Sequence, residues 1–154
     1  MRSDEWLEEQ LFEIWENYFA DVPRQNIVLI NFGKRSKRQL GCIKKLHQAP
    51  TKKLAQKAQS ITYTDDKSIS LIIITSYFKD ESIPEFIVRT TIAHELCHYT
   101  HGFNSPLPKL FDSPHAGGII RKELTKREMG DELKIANKWL KTNWANYLRS
   151  QKTR

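Results

Sequence analysis

Apolar and polar residues repeat along the chain in patterns that predict a helix at each end. In residues 4–20 the apolar positions recur with helical spacing: Leu7, Leu11, Ile14, Trp15 and Tyr18. Most glutamates of this segment fall outside that stripe, as in an amphipathic helix that packs on a core. A similar apolar stripe predicts a last helix from Asp131 to about Leu148.

Four segments predict strands at 26–32, 38–44, 60–64 and 68–74, and the first of them is rich in β-branched residues. The turn Gly33-Lys34-Arg35-Ser36-Lys37 joins the first two into a hairpin, and residues 45–58 read as irregular. The close spacing of these strands favours a small antiparallel sheet of three to four strands.

The segment from about 83 to 101 predicts a long helix that is apolar almost all round, as in a central, buried helix. Ser82 and Glu85 have the spacing of a capping box, and Gly102 is a natural stop. After a loop with two prolines, Ser113-Pro114 predicts the start of another helix, which runs to about Met129. The fold class predicted is α+β, in one domain over residues 1–154, with the sheet packed on the central helix.

Chemistry is concentrated in that central helix, in the sequence His94-Glu95-Leu96-Cys97-His98. Histidines four residues apart lie on one helix face, where both imidazoles can bind one metal ion. Glu95 lies about 100° further round the helix, where it can accept a proton from a metal-bound water without being a ligand. This arrangement is typical of zinc hydrolases.

Catalytic zinc usually has a third protein ligand, and four downstream residues are candidates. They are His101, Asp112, His115 and Glu123. His101 lies on the same rigid helix as His98, so it can approach the metal only with strain. His115 is favoured, because Gly117 and Gly118 after it would each cost a helix about 1 kcal/mol, which close packing of that turn against the metal helix would offset.

Charge is distributed unevenly along the chain, whose net charge is +7. Residues 1–21 are strongly acidic, whereas residues 22–64 contain ten basic residues and no Asp or Glu. This block either balances the acidic first helix or forms a phosphate-binding surface for DNA. The candidate DNA contacts are Lys34, Arg35, Lys37, Arg38, Lys44, Lys45, Lys52 and Lys53.

The order of these features resembles the SprT/Spartan family of zinc metalloproteases over roughly residues 5–130. The resemblance rests on a helix, a basic hairpin ending in Leu40-Gly41, further strands, the His94–Tyr99 motif segment and a later histidine. It implies His94, His98 and His115 as ligands of one zinc ion per chain, and Glu95 as the catalytic base. The family usually has glycine and an aromatic residue at the positions of Ala116 and Ile119, and its cysteine zinc module is absent here.

The function expected is hydrolysis of peptide bonds in DNA-associated or DNA-crosslinked proteins. The alternatives are a DNA-binding module with structural zinc and a metallopeptidase acting on free proteins. No apolar run is long enough to span a membrane, and the acidic start is not a signal peptide. With only two cysteines, Cys42 and Cys97, we expect an intracellular protein, cytoplasmic or nucleoid-associated.

Overall fold

The computed structural model describes residues 1–152 and confirms the α+β class. Its helices are α1 (Asp4–Tyr18), α2 (Lys52–Gln59), α3 (Glu85–Thr100), α4 (Ile119–Lys126) and α5 (Gly130–Lys152), and its strands are β1 (Ile27–Phe32), β2 (Gly41–Leu46) and β3 (Ile69–Ile74). Two short 3-10 segments lie at Ser76–Lys79 and Ala116–Gly118. None of the helices within residues 1–152 is long and apolar enough to cross a membrane.

The sheet is mixed, so the prediction of an antiparallel sheet is wrong. Its strand order is β1–β3–β2, in which β3 pairs parallel with β1 and antiparallel with β2. The predicted hairpin between the first two strands therefore does not form. β3 is almost entirely buried, which suits a central strand, whereas β2 exposes Lys44 and Lys45, which suits an edge.

The segment between β2 and β3 also differs from prediction. Residues 60–64 form no strand, because this segment covers the outer edge of β1 with a side chain: the hydroxyl of Tyr63 accepts a hydrogen bond from Val28 N at 3.2 Å. Residues 52–59, predicted as irregular, form α2. Thr51 caps this helix by accepting from Leu54 N at 3.2 Å, and Leu54 is buried against the sheet.

Helix α3 occupies the centre of the fold. It contacts α1, α4, α5 and the strands β2 and β3. Ten of its residues are buried, including Glu95 and His98. Helix α1 packs on this core through four of the predicted positions, Leu7, Leu11, Ile14 and Trp15.

The two ends of α3 differ in how well the sequence predicts them. The predicted capping box is wrong, because Ser82 N donates to Asp80 Oδ1 in a preceding turn and the helix begins only at Glu85. The predicted stop at Gly102 is confirmed: Gly102 has a φ of +83°, and Phe103 N donates to His98 O at 2.9 Å. This hydrogen bond closes a Schellman motif, which fixes where the chain leaves the helix.

Candidate metal centre

His94 and His98 lie one turn apart on the same face of α3. Their ring centroids are 4.8 Å apart. His98 is buried, and His94 is half-buried at the wall of an open cleft. A rigid helix with neighbours on several sides therefore holds both rings in fixed positions.

His115 approaches the same point from the segment after α3. The prediction of a helix from Ser113 is wrong here, because Gly117 and Gly118 adopt left-handed φ values of +63° and +67° and α4 starts only at Ile119. Left-handed backbone is cheap for glycine and costly for other residues. The two glycines thus make a turn rather than an expensive piece of helix, and His115 lies just before it.

The three imidazoles meet at their Nε2 atoms. His115 Nε2 is 3.3 Å from His94 Nε2 and 3.1 Å from His98 Nε2. Nitrogen ligands about 2.05 Å from a tetrahedral zinc ion are about 3.3 Å from each other. The three histidines, whose ligand atoms lie within 4.8 Å of one another, are therefore close enough to bind one metal ion.

The electrostatics of this cluster also fit a cation. Burial lowers the pKa of His94 to about 4, with the neighbouring His115 as the second cause. Burial also lowers the pKa of His98 to about 3, and His94 and His115 add to the effect. Neutral imidazoles have one proton each, so both short contacts to His115 Nε2 cannot be good hydrogen bonds at once. A metal ion between the three lone pairs would remove this conflict.

Glu95 lies beside the histidines and outside their cluster. It is only 3% exposed, and its Oε2 atom has no hydrogen-bond partner within residues 1–152. Burial raises the pKa of Glu95 to about 8. A buried carboxylate of this kind is stabilised as an anion by a nearby positive ion, which again fits a cation at the histidines.

Gly41 on β2 allows the sheet to approach Glu95 closely. A Cβ atom at this position would lie 2.9 Å from Thr91 Cγ2 and 3.4 Å from Glu95 Cγ. Any larger residue would therefore have to displace α3 side chains next to the histidines. The absence of a side chain at Gly41 therefore allows β2 to pack closely against α3 at this point.

The remaining candidate ligands lie elsewhere. His101 is buried at the C-terminal cap of α3, where its Nε2 is 2.8 Å from Glu123 Oε1. Glu123 also accepts from Arg127 Nε at 2.9 Å, and Arg127 pairs with Asp21 at 2.6 Å. This network ties α3 to α4 and to the end of α1. Asp112 is exposed in the loop and is not part of the histidine cluster.

The histidines and Glu95 lie in an open cleft of about 500 Å³. Its walls come from β2, α3, the loop after α3 and the inner face of α5. Tyr63, Tyr99, His101 and Arg121 do not line it. The polar residues that do, and that sequence reasoning did not identify as part of the site, are Gln39, Cys42, Thr90, Thr91, Asn104 and Asn137.

Asn104 is held at the cleft by a buried polar network. Its backbone has a φ of +55°, unusual for a residue other than glycine, and its carbonyl accepts from Ser70 Oγ at 2.7 Å. Ser70 accepts from Asn26 Nδ2 at 2.9 Å, and Asn26 Oδ1 accepts from Tyr99 OH at 2.7 Å. In the sequence, only the position of Asn104 two residues after the helix stop Gly102 points to this role. The residues that hold Asn104 in place, Ser70 and Asn26, are far away along the chain.

The outer edge of β2 faces the cleft. Thr75 N donates to Leu40 O at 2.9 Å, which makes Leu40 a residue whose backbone faces β3. In an antiparallel ladder the backbone groups alternate in direction, so those of Gly41 and Ile43 point away from β3. Both residues line the cleft, so the cleft is bordered by backbone of β2 that pairs with no other strand in the described part of the chain.

The candidate DNA contacts form two groups in the structure. Lys53 Nζ lies 3.5 Å from Asp4 and 3.2 Å from Glu5, so this exposed lysine balances the acidic helix α1. Seven residues are exposed and form no salt bridge with the described residues: Lys34, Arg35, Lys37, Arg38, Lys44, Lys45 and Lys52. The first four lie in the loop 33–40, which Trp144 of α5 holds by donating from Nε1 to Lys37 O at 2.9 Å.

Comparisons of the chain with protein-family models, with curated proteins and with solved structures found no significant match. Function must therefore be inferred from the chemistry of this chain. The main chemical features of the chain are a three-histidine cluster, a buried carboxylate next to this cluster, and an open cleft with a free strand edge.

Proposed function

We propose that this protein is a zinc-dependent hydrolase of peptide bonds, in line with its resemblance to SprT/Spartan proteases. The main support is the convergence of His94, His98 and His115 at 3.3 and 3.1 Å, beside the buried Glu95. The set is complete for a metal with three protein ligands. A zinc ion held by three protein ligands would have one coordination position left for water.

The roles of the residues follow from their positions. His94, His98 and His115 would hold zinc, which when bound acidifies water and polarises a carbonyl group. Glu95 accepts the proton of the attacking water and delivers it to the leaving amine. A zinc ion at the neighbouring histidines would hold Glu95 as the carboxylate that this role requires.

A peptide is the substrate that the cleft accommodates best. The free backbone groups of Gly41 and Ile43 can pair with an extended chain, as an added strand. Such a strand runs past Glu95, because Gly41 is in close contact with Thr91 and Glu95. The free strand edge beside the histidines supports peptide hydrolysis as the function of the metal site. A purely structural zinc site would instead be closed by a fourth protein ligand.

DNA-associated proteins are the substrate class that the basic surface favours. The loop 33–40 carries the exposed residues Lys34, Arg35, Lys37 and Arg38, and Arg38 lines the cleft. Phosphates attracted to this loop would hold a DNA-bound protein near the histidines. The competing proposal is a peptidase for free proteins, in which the same charges serve solubility.

The direct test of the enzyme proposal is the substitution Glu95→Gln. We expect this variant to keep stoichiometric zinc, because Glu95 is not a ligand, and to lose cleavage of a DNA-crosslinked protein by about 10²–10⁴-fold or more. Glu85→Gln is the matched control, since Glu85 is exposed on the first turn of the same helix. Equal cleavage by wild type and Glu95→Gln would contradict the proposal.

A further inference from the structure

The cleft has an apolar side that the proposed chemistry does not use. Helix α5 contributes Leu133, Ala136 and Leu140, which lie at helical spacing on one face, and Leu40 adds to this wall before β2. The hydroxyl groups of Thr90 and Thr91 donate to α3 carbonyls, so they are not available as a polar lining. A side chain held between β2 and α5 would therefore meet these apolar residues, with Asn137 as the polar residue that α5 adds to the wall.

Away from the histidines and Glu95, the charge that lines the cleft is positive. Apart from Glu95 and the histidines, Arg38 is the only charged residue among residues 1–152 that lines the cleft. The Arg38 side chain is exposed and makes no hydrogen bond or salt bridge to the described residues. A free guanidinium presents a fork of donors that matches a carboxylate, and no acidic group of the cleft lining competes for it at that end.

We propose that the cleft selects acidic, extended peptide segments, an inference that rests on the proposed peptidase function. An apolar side chain next to the scissile bond packs on Leu133, Ala136 and Leu140. A carboxylate further along the same peptide pairs with Arg38. The apolar wall and the free edge of β2 favour a peptide over a nucleic acid as the occupant of this cleft.

The geometry limits where the acidic residue can lie. Arg38 precedes Gly41 by three residues, and Gly41 lies against Glu95. Three residues of extended chain span at most about 10 Å. A peptide paired along this edge therefore has its carboxylate two to four residues from the scissile bond, on one side only.

Cleavage-site profiling tests this preference. Zinc-loaded protein is incubated with a peptide library of broad composition, and the products are identified by mass spectrometry. We expect Asp or Glu to be enriched two to four residues from the cleaved bond on one side, with an apolar residue next to the bond. In Arg38→Glu we expect the enrichment to reverse toward Lys and Arg, and kcat/KM for an acidic peptide to fall by about tenfold or more.

The matched control is Lys138→Glu, which makes the same change of charge on α5 at an exposed residue outside the cleft. It should keep the wild-type profile. An unchanged profile in Arg38→Glu would overturn the proposal while leaving the peptidase function intact. Absence of any cleavage that depends on Glu95 would instead overturn the proposed function.

A binding measurement tests the preference for acidic peptides separately from the peptidase function. In Glu95→Gln, an acidic peptide labelled for fluorescence anisotropy should bind more tightly than its Lys-substituted counterpart, and Arg38→Glu in that background should remove the difference. If single-stranded DNA displaces the peptide and itself requires Arg38, the residue belongs to a nucleic-acid surface and the proposal is wrong.

Discussion

Buried polar residues of α3 are the most informative single residues of this protein. Glu95 and His98 are almost fully enclosed within an otherwise apolar helix. Uncompensated burial of such groups costs free energy, and pairing or metal binding offsets that cost. Their position beside His94 and His115 gives the burial a chemical explanation.

The substitution Gly41→Ala tests how closely the edge of β2 must approach Glu95. The φ of Gly41 is not in the left-handed region, so Gly41→Ala is compatible with the backbone, but the new Cβ would meet Thr91 Cγ2 at 2.9 Å. We expect the variant to fold and to keep zinc, with kcat/KM lowered by about tenfold, because small misplacements at a reacting centre are costly. Metal content and peptide cleavage are measured together. Full activity in Gly41→Ala would show that the contact is not required.

At this scale the sequence predicts local relations well. His94, Glu95 and His98 are within about one helical turn, so helix geometry alone places both histidines on one face and Glu95 about 100° round from His94. The approach of His115 is also expected from the sequence, but through a helix that the structure does not contain. Asn104 is not predicted, and Arg38 is predicted only as a DNA contact, because distant residues place both at the cleft.

Among the elements, the 3-10 segment Ala116–Gly118 decides where His115 lies. Gly117 has a left-handed φ of +63°, and a Cβ there would meet nothing within 4 Å, so only backbone conformation opposes a larger residue. We expect Gly117→Ala to weaken zinc binding by about tenfold, since a left-handed alanine costs about 1–2 kcal/mol. Isothermal titration with zinc measures the change.

Gly117→Asn is the control for that prediction, because asparagine tolerates left-handed backbone better than alanine does. It should retain more of the wild-type zinc affinity than Gly117→Ala. Equal affinity in the wild type and Gly117→Ala would show that the turn does not position His115.

The loop 33–40 is the element through which the basic charge reaches the cleft. Reversal of Lys34, Arg35 and Lys37 to glutamate, with Arg38 unchanged, should leave the fold intact, because these side chains are exposed. It should weaken DNA binding and reduce the slope of log affinity against log salt by about 0.7–0.9 per lost phosphate contact.

A double reversal of Lys122 and Lys126 on α4 serves as the comparison for nonspecific charge effects. Both are exposed and outside the loop. If the loop variant loses no more DNA affinity per charge than this control, the loop is not a DNA contact.

The strand arrangement shows where prediction from local pattern fails. The turn at Gly33 and the two strands around it favour a hairpin, but β3 lies between them in the sheet. β3 is apolar on both faces, so its insertion buries more apolar surface than a direct pairing of β1 with the Lys-rich β2 would. That competition depends on residues about 25 to 45 positions later in the chain, and a short sequence window does not contain it.

Across the whole molecule, the basic charge of residues 22–64 falls into two groups. In the first group, Arg24, Lys53 and Lys57 pair with acidic residues of α1. The second group lies on the loop 33–40, on β2 and at the start of α2, away from these salt bridges. The sequence leaves a structural and a phosphate-binding interpretation equally open; the salt bridges support the structural one for the first group, and the side chains of the second group are exposed.

The central claim is that three histidines from two separate segments bind one zinc ion, and zinc titration tests it most directly. We expect one zinc per chain in the wild type, and a loss of affinity of more than about 100-fold in His115→Ala, because a ligand is lost. His101→Ala removes a buried histidine that contacts Glu123, and His47→Ala removes an exposed one; both should bind zinc nearly as the wild type does. Unchanged affinity in His115→Ala, or a larger loss in His101→Ala, would contradict the claim.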